Sequence, residues 1–266
     1  MIFNNVIHAT PRIIFKYIYS LYIIGWCYTL KGQIMRINKY ISSTGLCSRR
    51  KAEEFIENGQ VTINGEIAIL SSTVEDGDVV TLNGKVIETK ENNLVLLFNK
   101  PKGITCTTEH KVKGNIIDFI NYPERIFPIG RLDKDSQGLI LLTNNGDLVN
   151  ECLRVENGHE KEYTVKVDKP ITNDFLKKMS AGVKIYNPVS ESYVVTLPCD
   201  IRQTGKNSFN ITLKQGYNRQ IRRMCSAFGY HVTFLKRIRF MHLNLDVEEG
   251  KYRLLNKNEI DKLRNR

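Results

Sequence analysis

A chain of 266 residues, 41% hydrophobic and 25% charged, is long enough to bury one or two cores without covalent staples, which excludes a small disulfide scaffold. It is also too rich in Ile, Leu, Val and Phe to remain a disordered polybasic tail. Thirty-nine Lys and Arg against 28 Asp and Glu leave a net charge of +11, and that excess favours an anionic partner, either nucleic acid or an anionic membrane surface. The six cysteines, Cys27, Cys47, Cys106, Cys152, Cys199 and Cys225, include no pair at zinc-ligand or CxxC spacing. Reduced thiols in a cytoplasmic protein, with no metal centre, are expected.

Residues 1–34 differ in character from the rest of the chain. Ile13 to Leu30 is an apolar and aromatic run interrupted by Lys16, and about 18 residues is the lower edge of a membrane span. Tyr17, Tyr19, Tyr22 and Tyr28 weaken that reading, and no small-residue cleavage site occurs before Lys31. No Asp or Glu precedes Glu53. A membrane or signal segment, a structured extension and a misassigned upstream extension are the three alternatives. The third is the expectation: Lys31-Gly32 is encodable as a purine run of the kind that binds ribosomes, and a helical apolar pattern opens abruptly at Met35. A start at Met35 takes Arg12, Lys16 and Lys31 from the +11, leaving +8, and removes Trp26, the only tryptophan.

Ile37, Tyr40 and Ile41 fall at i, i+3, i+4 and predict a short helix. Gly45 punctuates it, and Ser48 is placed to cap a second helix running to about Asn58, with Ala52, Phe55 and Ile56 inward. Arg49, Arg50 and Lys51 occupy the first turn of that helix, where cations oppose its dipole. With Arg36 and Lys39 they form a basic cluster without an acid. A solvated face is one reading; a phosphate held by the side chains and the helix amides is the other. Val61-Thr62-Ile63 before Asn64-Gly65, and Val79 to Leu82 before Asn83-Gly84, read as hairpins. The string RINKYISSTGLCSRRKAEEFIENGQVTINGE closely resembles the S4 RNA-binding domain, a helix-helix-hairpin module. That resemblance implies structured-RNA binding through the paired helices. Residues 35–87 are assigned to this domain and the polar stretch 88–93 to a linker.

Leu94 to Phe98 is a continuous apolar run, read as a strand buried on both faces. Asn99-Lys100-Pro101-Lys102-Gly103 turns the chain and carries two lysines. Phe127 to Thr143 then reads as a loop bearing Arg131, Asp133, Asp135 and Ser136, a glycine, and an apolar strand. Functional groups on a loop held by a rigid strand are a common catalytic layout. Two aspartates so spaced fit a metal site leaning on phosphates, an acid/base pair or a plain turn.

GRLDKDSQGLILLT strongly resembles the signature loop of pseudouridine synthases, in the group that contains RsuA, RluB, RluE and RluF. Lys100-Pro101-Lys102-Gly103, Lys161-Glu162-Tyr163 and Gly216 to Met224 match three further motifs of that group, in family order. The chain is identified as a member on these four motifs. The resemblance implies an α+β fold: a small S4 domain (αα-hairpin plus β), then a synthase domain over 94–255 with a largely antiparallel central sheet. Apolar strands at 94–98, 138–143, 162–167, 192–197, 208–213 and 232–240 fit that sheet, and 256–266 reads as a C-terminal helix.

The implied reaction isomerises uridine to pseudouridine without cofactor or metal. The resemblance makes Asp133 the carboxylate acting at the ribose, as nucleophile or as base toward C2′. It makes Arg222 the cation holding Asp133 ionised, although on residues alone Arg222 is also a plain surface arginine of an amphipathic helix from Asn218 to Phe228. Tyr163 is implied to stack on the base, though tyrosine is common in strands. Arg131 is implied to fill the space left by a flipped nucleotide. Asp135 is expected to shape the loop. Lys100, Lys102, Arg219 and Arg223, together with Lys236, Arg237 and Arg239, are expected to track phosphates. The stretch from DKDSQGL through NNGDLVN to HEKEYTVKVDKPIT looks most like the RluF branch, acting on 23S ribosomal RNA. The implied partner is that RNA or the assembling large subunit, for a cytoplasmic monomer without membrane association. A non-catalytic S4-type RNA binder, a synthase for another ribosomal or transfer RNA site, and a membrane-tethered RNA factor are the competing readings.

Overall fold

Apolar spacing decides where the first core lies. In the computed structural model, which describes residues 34–89, 93–153 and 158–264, Ile37 and Ile41 are fully buried on α1 (Ile37–Ser43). They meet Ala52 and Ile56 of α2 (Arg49–Glu57). Ser48 caps α2, its side chain accepting the Lys51 amide at 3.2 Å. Strand β1 (Met35–Arg36) pairs with β4 (Thr73–Val74). A four-stranded sheet closes the core, in the order β3 (Glu66–Ile67), β2 (Val61–Ile63), β5 (Val80–Leu82) and β6 (Lys85–Val86). Its two tight turns hold Asn64 and Asn83 at φ 52°, the left-handed conformation that two-residue hairpins require. The chain divides into two units, this one ending at Thr89 and the other beginning at Lys90. The apolar run at 13–30 lies outside the described residues, as do positions 90–92 of the linker; among the described residues no helix is long and apolar enough to cross a membrane.

In the second unit two neighbouring strands explain the continuous apolar runs. On β7 (Val95–Lys100) and β9 (Gln137–Thr143), Val95, Leu97, Leu139 and Leu141 face Leu148 and Cys152 of α4 (Gly146–Leu153) and Leu263 of α7 (Lys257–Arg264). Leu96, Phe98, Ile140 and Leu142 face the other way, toward Ile116 and Ile120 of α3 (Ile116–Ile120). A period of two with both faces covered leaves no polar side, which is why the pattern reads as unbroken apolar sequence. Each large side chain so buried contributes on the order of 1.5–3 kcal/mol.

The rest of the sheet lies on β15 (Val232–Phe240), β10 (Lys161–Val167), β14 (Ser208–Leu213) and β13 (Asp200–Gly205). Against it pack Phe175 and Met179 of α5 (Asn173–Ser180) and Ile221 and Met224 of α6 (Gln220–Ala227). The full order is β13-β14-β10-β15-β9-β7-β17, where β17 is Tyr252–Leu254; β8 (Phe127–Ile129) adds to β9 and β16 (Leu243–Asn244) to β15. The strand read at 192–197 does not join this sheet. Ser192–Val195 (β12) pairs with Lys184–Asn187 (β11) as a separate hairpin. Tyr193 and Val195 are each 67% exposed, so one face of that strand finds no layer to cover it.

Among the described residues every pairing in the large sheet but one is antiparallel. The exception joins its halves: Gln137 and Gly138 of β9 run parallel to Lys236 and Arg237 of β15. The approach is so close that a Cβ on Gly138 would lie 2.2 Å from the Arg237 carbonyl oxygen, and φ there is 106°. Gly138→Ala is therefore expected to cost roughly 3 kcal/mol or more, from overpacking added to backbone strain. Gly216, with positive φ absent and open space at its Cβ position, provides the control, at within about 0.5 kcal/mol for Gly216→Ala. Urea unfolding of both variants checks this, and equal losses would contradict it.

Candidate active site

The loop between β8 and β9 is fixed by its own backbone. The Ser136 amide donates to the Asp133 carbonyl at 3.0 Å, and the Gly103 amide donates to the Lys134 carbonyl at 2.7 Å. The second bond fastens the loop to the lysine-proline turn that ends β7. Leu132 turns inward, its amide 3.4 Å from the buried Cys106 thiol. Burial pushes that thiol above its ordinary range, so it stays protonated.

With Leu132 inward, the two aspartates meet different surroundings. Asp133 lines a cleft of about 1070 Å³ together with Arg131, Lys161, Tyr163, Arg237 and Phe240. Asp135 lines a second groove, of about 800 Å³, with Lys102, Arg219 and Arg222. Tyr163 reaches the cleft from β10, packed between two apolar clusters that fix its ring. Arg131 is exposed at the rim.

Helix α6 braces the loop from outside. Arg219, left-handed at φ 51° just before the helix, donates both terminal nitrogens to Asp135 at 3.0 and 2.8 Å. These bidentate bonds hold the Asp135 carboxyl below its usual range. Three residues on, and so on the same helix face, Arg222 donates to the Asp135 carbonyl at 3.1 Å, the Ser136 hydroxyl at 3.3 Å and the Val232 carbonyl at 3.2 Å. The sequence reading sets Arg222 against Asp133; the structure sets it against Asp135 and the loop backbone. Among the described residues no side chain hydrogen-bonds to the Asp133 carboxylate. Arg219 and Lys100 both interact with its charge.

Lys100 requires a correction. It is fully buried, and its ammonium donates to the Pro101 and Ile104 carbonyls at 2.9 and 2.8 Å, so it cannot reach a phosphate on the surface. Burial lowers its pKa, while the charges around it, Asp133 and Asp135 included, pull the other way. It is an internal cation beneath the loop. Arg237 is likewise buried, with 3% exposure and its Nε on the Leu139 carbonyl, and Arg239 is engaged by Glu160 and Glu162. Lys102 is exposed, and Arg223 is partly exposed with its guanidinium turned onto Asn218. In the first unit Arg36, Arg49, Arg50 and Lys51 are exposed, Lys51 paired with Glu54, and Lys39 is half-buried.

Two cleft residues escape the sequence reading in this role. Lys161 opens the strand that carries Tyr163, and burial, reinforced by the nearby Arg237 charge, lowers its pKa to about 8. Charge alone assigns Arg237 to phosphates. Its offset of two from Leu235, buried on the same strand, is the signal that places it inside.

Residues 35–80 match the S4 domain, and residues 94–227 match the family described as RNA pseudouridylate synthase. The chain is 54% identical over 228 residues to the dual-specificity RNA pseudouridine synthase RluF of Salmonella typhi, covering 85% of this chain and 77% of that protein. It is 52% identical over 234 residues to the protein of the same name from Escherichia coli strain K12, covering 87% and 79%. Identity to the ribosomal large subunit pseudouridine synthase B of Bacillus subtilis is 35% over 233 residues, covering 86% and 95%. A solved crystal structure of a pseudouridylate synthase matches with a TM-score of 0.63 and 29% identity, over 86% of this chain and 99% of that one.

The Arg219–Asp135 brace carries a pH signature. Because the folded-state pKa of Asp135 lies below its ordinary 3.8, the stabilisation is complete above that value and is lost as pH falls through the lowered one. Asp135→Asn is expected to cost about 1 kcal/mol or less, since the pair is partly exposed. In urea melts the gap from wild type should hold between about pH 7 and pH 5 and shrink below about pH 4. A gap that stays constant to about pH 3 would contradict the assignment.

Proposed function

The chain belongs to the RNA pseudouridylate synthase family, and from that premise we propose that it isomerises a uridine of 23S ribosomal RNA to pseudouridine, with Asp133 as the carboxylate acting at the ribose. The observation that carries the reading is that Asp133, on a loop braced by backbone bonds and α6, shares one cleft with Tyr163.

Uridine must break N1–C1′, turn its ring and rejoin through C5. The atoms of substrate and product are the same, so the chemistry calls for neither a redox partner nor a hydrolytic water. An ionised carboxylate serves both conceivable routes, attack at C1′ or removal of the C2′ proton. Asp133 is half-buried on that loop and lines the cleft beside Tyr163. Arg222 serves it indirectly, by fixing the loop on which it stands.

The target base lies inside folded RNA and must be flipped out, at a few kcal/mol. Arg131, exposed at the rim and two residues from Asp133, fills the vacated stack, and Tyr163 stacks on the base inside. Lys102, Arg219 and Arg223 neutralise phosphates, and residues 35–87 add affinity for structured RNA through Arg36, Lys39, Arg49, Arg50 and Lys51. Such contacts position the RNA, while its shape supplies selectivity. Residues 94–255 form the catalytic part, joined through 88–93. The enzyme works as a cytoplasmic monomer on 23S RNA, free or in the assembling large subunit. The dual specificity in the names of the two RluF relatives favours a second RNA target for the same cleft.

Asp133→Asn should abolish pseudouridine formation in 23S RNA transcripts while keeping RNA affinity within about tenfold, or about 1.4 kcal/mol. Turnover near wild type would remove Asp133 from the chemistry.

A further inference from the structure

Two cations in the wall of the cleft have no part in the mechanism above. Arg237 is anchored by its Nε on the Leu139 carbonyl at 2.6 Å, but its Nη2 is buried without a hydrogen-bond partner. A buried charged donor left unpaired is costly and rare. Lys161 donates to the His159 carbonyl at 3.2 Å. Both cations lie beside the Phe240 ring, at 5.6 and 5.8 Å from its centroid, and all three side chains line the cleft that holds Asp133 and Tyr163. Among the described residues neither cation has an ion-pair partner. Two like charges are thus held together in a partly apolar wall.

We propose that Arg237 and Lys161 form a cationic subsite that receives the uracil ring when it leaves C1′ as an anion. The inference rests on the reading of Asp133 as the group acting at the ribose. When N1–C1′ breaks, its electron pair departs with the ring, and the negative charge spreads over N1, O2 and O4. The ribose is made good by Asp133, which either bonds C1′ or takes the C2′ proton as a glycal double bond forms. The ring then turns and C5 bonds C1′. Asp133 is released, or returns its proton to C2′, and the proton lost from C5 balances the one gained at N1. Fixed cations at the place where charge develops lower the barrier to the first step and hold the detached ring while it turns. A flat, delocalised anion suits a wall made of two cations and an aromatic ring. A phosphate suits the exposed Lys102 and Arg219 instead.

The test uses the full chain in single turnover, on RNA carrying either uridine or 5-fluorouridine at the target. Fluorine stabilises the ring anion, so cleavage of that base depends less on the cations. Arg237→Gln should slow N1–C1′ cleavage about 100-fold with uridine and about tenfold or less with 5-fluorouridine, with RNA affinity held within about threefold. Equal slowing of both bases would overturn the proposal. So would a loss confined to RNA affinity, which would make the subsite a phosphate contact. Should Arg237→Gln fail to fold, Lys161→Gln and Arg237→Lys carry the same comparison: base-dependent slowing supports the subsite, and its absence removes it. A wild-type chain that converts neither base would remove the Asp133 reading and the subsite together. An active wild type with insensitive variants would remove the subsite alone.

Discussion

The structure of the second unit turns on the close passage of Gly138 against the backbone of Arg237. The two strands meet there in the parallel pairing that joins the halves of an otherwise antiparallel sheet. No side chain fits between them, and the glycine that permits the contact stands three residues after Asp135 and five after Asp133. The loop is therefore held in place by the sheet's own seam. The same contact carries the Arg237 side chain into the wall of the cleft. Site and fold share one geometric requirement, and the residue that meets it has no side chain.

The basic residues fall into three groups, and the exposed Arg219 belongs both to the first and to the last. Arg219 and Arg222 brace the loop through Asp135 and its neighbours. Lys100, Lys161 and Arg237 are wholly or largely buried, so their fields act in a medium that screens them weakly. The exposed remainder, on α2 and in the groove beside Asp135, is available to an RNA backbone. The net charge of +11 is a sum over all three groups and overstates what faces a partner.

How much of the fold is legible in the sequence depends on how local each signal is. The runs Leu94–Phe98 and Gly138–Thr143 announce strands covered on both faces, and the structure places Val95–Lys100 and Gln137–Thr143 there. Ser48 and the two Asn-Gly pairs mark a cap and two turns through chemistry confined to a few residues. The pairing of Arg222 with Asp135 depends on the register between α6 and a loop more than eighty residues earlier, which no local pattern encodes. Lys100 reads as exposed because it sits in a Pro-Gly turn, whereas its ammonium folds back onto the carbonyls of that same turn. The hairpin at 184–195 shows the opposite failure: β-branched and aromatic residues predict a strand correctly but do not say which sheet it joins.

In the function proposed here one carboxylate, fixed at the seam of the sheet, isomerises a uridine in 23S ribosomal RNA. Pseudouridine mapping across all ribosomal RNA, from cells with and without the gene, tests it most directly. Pseudouridine should disappear from a specific position in 23S RNA and return with the wild-type gene but not with one encoding Asp133→Asn. A 23S map unchanged by loss of the gene would contradict it.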